Sequence, residues 1–123
     1  MENYRKTEII IIEKKASLPL SIVIPVRNDG LNLKMMLKVL SATVETTCEF
    51  LIVSDTINDD SCAIVRNFQS NDPRFRFVLN TFGAVVGQAI LAGINESRGK
   101  YILILTADDL GPVLAIEAMC GFM

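Results

Sequence analysis

The sequence predicts an α/β fold built on a mostly parallel sheet, and three observations carry that prediction. Short apolar runs alternate along the chain with segments of helical periodicity. Three of the runs end in polar, acid-bearing turns. The length of 123 residues suits one domain with a real core. Strands joined through helices run parallel, so their carboxyl ends and the turns that follow share one edge.

The elements follow in order. Residues 1–17 read as a leader or edge segment outside the main pattern. Within it the isoleucines at 9–12 form an added edge strand or a docking segment, and Lys14 and Lys15 break the run. The domain proper is residues 18–123. Residues 21–26 are β-branched and apolar on both faces, the pattern of a buried parallel strand. Pro25 has no N–H and belongs at that strand's end. Asn28 or Asp29 caps a helix whose apolar stripe is Leu33, Met36, Leu37, Leu40 and Val44.

Residues 50–53 make the second main strand. Asp59 suits the N-cap of a helix through Gln69, with Ile64, Val65 and Phe68 inward. Asn71-Asp72-Pro73 is a turn. Residues 75–79 form the third strand, with Phe75, Phe77 and Leu79 on one face. Residues 86–97 read as a helix with Ile90, Leu91 and Ile94 inward, ended by Arg98-Gly99. Residues 101–105 are the fourth strand, and Pro112 opens a last helix towards Met119. Right-handed crossovers make such units a doubly wound, Rossmann-like half.

Composition excludes several chemistries. Net charge is −2, with lysine and arginine dispersed, so there is no basic stripe for nucleic acid. The chain has no histidine, and Cys48, Cys62 and Cys120 are widely spaced. The usual zinc sites and every mechanism with a histidine base are therefore absent. Reduced cysteines fit a cytoplasmic protein. No apolar run approaches the ~18 residues of a membrane span.

The chemistry lies in the turns. Asp55, just past the second strand, can accept hydrogen bonds from a base N–H or a ribose hydroxyl; as an alternative it is an ordinary turn aspartate. Asp59 can share that role or serve only as a helix cap. Asp108 and Asp109 follow the fourth strand. Adjacent carboxylates there suit a hard divalent cation, Mg or Mn, which fills its other positions with phosphate and water. A capping pair ahead of Pro112 is the alternative. Gly83 and Gly87 do not have the spacing of a dinucleotide fingerprint.

Together these residues resemble the nucleotide-binding half of family-two glycosyltransferases with the GT-A fold, nearest to the dolichyl-phosphate mannose synthase type. Pro25-Val26-Arg27-Asn28-Asp29 resembles the family's Pro-x-Tyr-Asn-Glu. Ser54-Asp55-Thr56-Ile57-Asn58-Asp59-Asp60-Ser61 stands where the family has Asp-Asp-Gly-Ser-x-Asp-Gly-Thr. Asp72-Pro73-Arg74-Phe75-Arg76 resembles Asp-Pro-Arg-Val-Arg, and Thr106-Ala107-Asp108 stands at the family's Asp-x-Asp.

The resemblance implies that Asp55 holds the nucleotide base and that Asp108 binds the metal bridging the diphosphate. It implies that Pro25, Val26 and Asn28 line the nucleoside pocket. The expected ligand is a nucleotide-diphosphate sugar. The expected acceptor is membrane-linked, reached from the cytoplasmic face directly or through a membrane protein partner. Ser54 and Thr106 replace expected aspartates, and the family's acceptor half and catalytic base lie beyond the matched stretch. The chain therefore reads as a truncated donor-binding domain. The alternative is a non-catalytic nucleotide-binding or interaction module of the same origin, with homo-oligomerisation through an open sheet edge. A receiver-like phospho-acceptor domain also gathers aspartates at strand ends, but its lysine after a late strand is not evident.

Overall fold

A computed structural model describes residues 12–13, 17–27, 30–58, 60–83, 86–107 and 111–120. The elements are β1 (Ile12–Glu13), β2 (Leu18–Pro25), α1 (Gly30–Thr43), β3 (Cys48–Ser54), α2 (Asp60–Gln69), β4 (Phe75–Leu79), α3 (Val86–Glu96) and β5 (Gly99–Ile104). A 3₁₀ turn (Pro112–Ala115) then leads into the short helix α4 (Ile116–Cys120).

The strands form one sheet in the order β1-β5-β2-β3-β4. The pairs β2–β3, β2–β5 and β3–β4 are parallel, and β1 alone runs antiparallel, against β5. Alternation along the strands divides the core between two faces. Ile22, Ile24, Phe50, Ile52 and Leu103 pack with Leu33, Met36, Leu37 and Leu40 of α1, Val65 of α2, and Val113 and Ile116. Val23, Leu51, Val53, Val78, Ile102 and Ile104 pack under α3 through Ala89 and Ala92. The sheet is thus covered on both sides, as the apolar runs anticipated.

Several boundaries differ from the sequence reading. The strands β2, β3 and β5 begin two or three residues earlier, at Leu18, Cys48 and Gly99. Polar side chains there are not strand-breaking because they pair with one another inside the protein. Ser21 is fully buried, and its hydroxyl donates to Glu49 Oε2 at 2.6 Å and accepts from the Gly99 N–H at 2.7 Å.

On α3, Ile90 and Ile94 pack against the core as expected, but Leu91 does not. Leu91 is 55% exposed, while Ala89 and Ala92 are buried. A Cβ at Gly93 would come within 2.4 Å of Val23 Cγ1, so small residues let α3 lie close on the sheet. Leu79, placed on one face with Phe75 and Phe77, is exposed at the end of an edge strand. Gly99 opens β5 and does not cap α3, whose last residue is Glu96.

The amino ends of the strands are tied by charge. Buried Glu49 accepts from the Arg98 backbone N–H at 2.6 Å, from the Arg98 guanidinium at 3.2 Å and from Arg76 at 3.4 Å. Burial alone would raise its carboxyl. The Ser21 hydroxyl, the Arg98 N–H and the two arginines outweigh that and hold it below the usual glutamate range. Arg76 also donates to the Glu96 carbonyl at 2.7 Å, closing the carboxyl end of α3.

Candidate functional site

The opposite edge carries the acid-bearing turns. Parallel pairing puts the carboxyl ends of β2, β3, β4 and β5 side by side. Backbone bonds extend the register past the strands, from Val26 N–H to the Val53 carbonyl, Asn80 N–H to Ser54 and Leu105 N–H to Val23. A ligand above this edge would meet turns from several strands, as in other open α/β sheets.

Asp55 stands at the centre. Its Oδ2 accepts from Arg27 at 3.0 Å, and its Oδ1 accepts from Asn80 Nδ2 at 2.8 Å. One carboxylate therefore joins the ends of three neighbouring strands. The Asn80 bond, then the Arg27 bond and its charge, hold the carboxyl below the usual aspartate range against a small opposing effect of burial. Asp55 is thus an ionised acceptor, one-third exposed at the surface of the cleft.

Asn80 is itself buried and fixed. Its Nδ2 also donates to the Gly83 carbonyl, and its Oδ1 accepts from the Phe82 N–H at 2.9 Å. Below Asp55, the Ser54 hydroxyl closes the start of the loop on Thr56 through its carbonyl and N–H. Thr56 Oγ1 in turn accepts from the Asn58 N–H.

Of the expected site residues, Pro25 and Val26 lie at the end of β2 beside Asp55's partner Arg27. The Val26 side chain is buried in the core, so only its backbone faces the edge. Asn28, Asp59, Asp108 and Asp109 lie outside the described residues. Among the described residues no cluster of three or more acids, cysteines or histidines could hold a metal ion.

Arg27 and Asn80 were not singled out as Asp55's partners from the sequence. The available signal was positional: each is a polar residue just past an apolar strand, in register with Asp55. The Asp72-Pro73-Arg74 motif has a different place, below the amino end of β4. Arg74 clamps Asp72 through Nε and a terminal nitrogen at 2.9 and 2.8 Å, donates to the Val44 carbonyl at 2.7 Å and lies 5.0 Å over the Phe50 ring. Its role there is structural.

The glycosyl transferase family 2 model matches residues 21–123. An uncharacterized glycosyltransferase of Escherichia coli K12, YibD, is 31% identical over 73% of this chain, which spans 26% of that protein. A dolichol-phosphate mannosyltransferase of Mycosarcoma maydis is 26% identical over 80% of the chain, which spans 36% of it. The chain thus spans about a quarter to a third of these two relatives. Among solved structures, the mannosyltransferase PcManGT of Pyrobaculum calidifontis, in complex with GDP-Man and Mn²⁺, covers 92% of the chain. It has a TM-score of 0.70 at 17% identity, with 34% of its own length covered. The shared sheet, the shared fold and the family match over all but the first twenty residues place this chain in glycosyltransferase family 2.

Proposed function

We propose that this chain is the donor-binding part of a glycosyltransferase. The whole enzyme transfers a sugar from a nucleotide-diphosphate sugar to an acceptor in glycan, lipid-linked sugar or cell-envelope polysaccharide synthesis. The observation that carries the reading is Asp55, an ionised acceptor held by Arg27 and Asn80 where the strands end. The GDP-Man and Mn²⁺ in PcManGT support it, and the relative named for dolichol phosphate supports a lipid-linked acceptor at a membrane face. No helix among the described residues is long and apolar enough to cross a membrane.

In this reading Asp55 takes the base, with the backbone of Pro25 and Val26 and the side chains of Asn28 and Asp59 around the nucleoside. Asp108 and Asp109 would hold a divalent metal. Two adjacent hard-oxygen donors that follow β5 in the sequence, after Leu105, Thr106 and Ala107, suit Mg or Mn, which keeps its other positions for phosphate and water. When bound, the metal supplies Lewis-acid stabilisation of the departing diphosphate. Asp55's part is positioning: a fixed base holds the diphosphate at one distance from the metal-side acids.

Calorimetric titration of the chain with GDP and UDP, with and without Mn²⁺, tests the reading. Metal-dependent binding of either nucleotide is the expected result. A folded chain that binds neither would overturn it.

A further inference from the structure

We infer that the outward stripe of α1 is a docking face for an anionic lipid surface; this goes beyond the donor-site reading and stands apart from it. Helix α1 carries two stripes. The inner one, Leu33, Met36, Leu37 and Leu40, is buried in the core. Opposite it lie Leu31, Lys34, Met35, Lys38 and Ala42, all exposed. Their spacing of three and four residues gathers all five within about 100° of the helix circumference.

The outward stripe of a surface helix is ordinarily polar. Here Leu31 is 77% exposed and Met35, one turn on, is 53% exposed. A large apolar side chain exposed singly, as Leu91 is on α3, needs no explanation. Two in line with two cations beside them are the pattern of a helix that lies in a bilayer interface.

Charge names the occupant. The helix holds two lysines and no aspartate or glutamate, although the chain's net charge is −2. Neither lysine is ion-paired among the described residues. Two acids beyond the far end of α1 are engaged elsewhere. Asp72 accepts from Arg74 and Ser41, and Glu117 accepts from the backbone N–H groups of Glu45 and Thr46. Glu45 itself follows the helix, at the end away from Leu31. The neighbouring α2 brings an exposed Arg66 as well as Asp60. Lysine stems can lie along an apolar layer while their ammonium groups reach lipid phosphates.

Helix α1 follows the carboxyl end of β2, so its first turn, with Leu31, lies towards the edge that carries Asp55. Docking through this stripe brings that edge to the bilayer, where a lipid-linked acceptor would be met.

Cosedimentation of the chain with phosphatidylcholine vesicles, with and without about one-third phosphatidylserine, tests this. Binding to the anionic vesicles alone is expected, weakened as salt rises. Lys34→Gln with Lys38→Gln is expected to weaken it by about twentyfold or more, roughly fivefold for each lysine. Leu31→Gln with Met35→Gln is expected to weaken it about tenfold while keeping the helix, checked by circular dichroism. Leu91→Gln, on the other face of the sheet, is expected to leave it unchanged. GDP and UDP titrations without vesicles are expected to be the same for the α1 variants, so docking and donor binding are read separately. Absence of vesicle binding by the folded protein, equal binding to neutral vesicles, or an equal loss in Leu91→Gln would overturn the inference. So would self-association that the Leu31 and Met35 changes abolish in a protein that ignores vesicles, since a second copy would then be the occupant.

Discussion

At the scale of single residues, two carboxylates at opposite ends of β3 are held ionised for different ends. Asp55 is partly exposed, and its partners leave room for a ligand. Glu49 is buried and its hydrogen bonds all go to this chain's own groups, which makes it a stability element. Its folded carboxyl titrates below the ordinary glutamate value, so its contribution is complete above that value. The contribution is lost as pH falls through the lower, folded value. Glu49→Gln is expected to cost about 2–3 kcal/mol at neutral pH, because Arg76 and Arg98 lose their counter-charge. It is also expected to flatten the decline of stability in acid. Urea unfolding at neutral and acidic pH measures both, and an unchanged acid slope would show that Glu49 does not carry the effect.

At the scale of elements, close approach decides what the sequence allowed to be read. The stripe Leu33, Met36, Leu37, Leu40 and Val44 was legible because α1 meets the sheet through large side chains, and all five are buried. The face of α3 was legible only in part: Ile90 and Ile94 pack against the core, but the helix also meets the sheet through Ala89, Ala92 and Gly93. Small residues carry no periodic signal strong enough to outweigh Leu91. The beginning of β3 was missed for a related reason. Glu49 reads as a polar interruption until its partners, far off in the sequence, are known.

Gly99 belongs to the same junction. A Cβ there would lie 2.3 Å from the Ser21 backbone nitrogen and 2.5 Å from the Leu20 carbonyl carbon, atoms of the central strand that cannot turn aside. Gly99→Ala is expected to destabilise the protein by about 2–3 kcal/mol, read as a lowered midpoint in chemical denaturation. Gly87→Ala, where a Cβ meets nothing within 4 Å, is the matched control and is expected to be neutral or slightly stabilising.

At the scale of the whole molecule, the sheet separates its tasks between its two edges. The amino ends of the strands hold the Glu49 and Arg74 networks, and the carboxyl ends hold Asp55 and the acidic turns. The fold was legible because strand, helix and acid-bearing turn recur in one order. The site was legible only as far as single aspartates after strands. The pairing of Arg27 and Asn80 with Asp55 depends on register, which no local signal states. Asp108→Ala is expected to abolish metal-dependent nucleotide binding while shifting the melting temperature by no more than about a degree. Calorimetry with Mn²⁺ checks the first outcome and thermal unfolding the second. Undiminished affinity would remove Asp108 from the metal site.

The central position of β2 has a consequence for how the chain acquires this shape. One neighbour, β3, follows soon after it, but the other, β5, pairs with it across about eighty residues of intervening chain. During synthesis β2, β3 and β4 emerge and associate while one side of β2 still waits for its partner. That side is a row of unpaired backbone groups flanked by Ile22, Val23 and Ile24. Closing so long a loop is slow, and an open apolar edge is a template for pairing with other chains. The nascent protein is therefore most prone to aggregate in the interval between the release of β4 and the arrival of β5. Chaperone dependence and inclusion-body formation should track that window more closely than the stability of the finished fold.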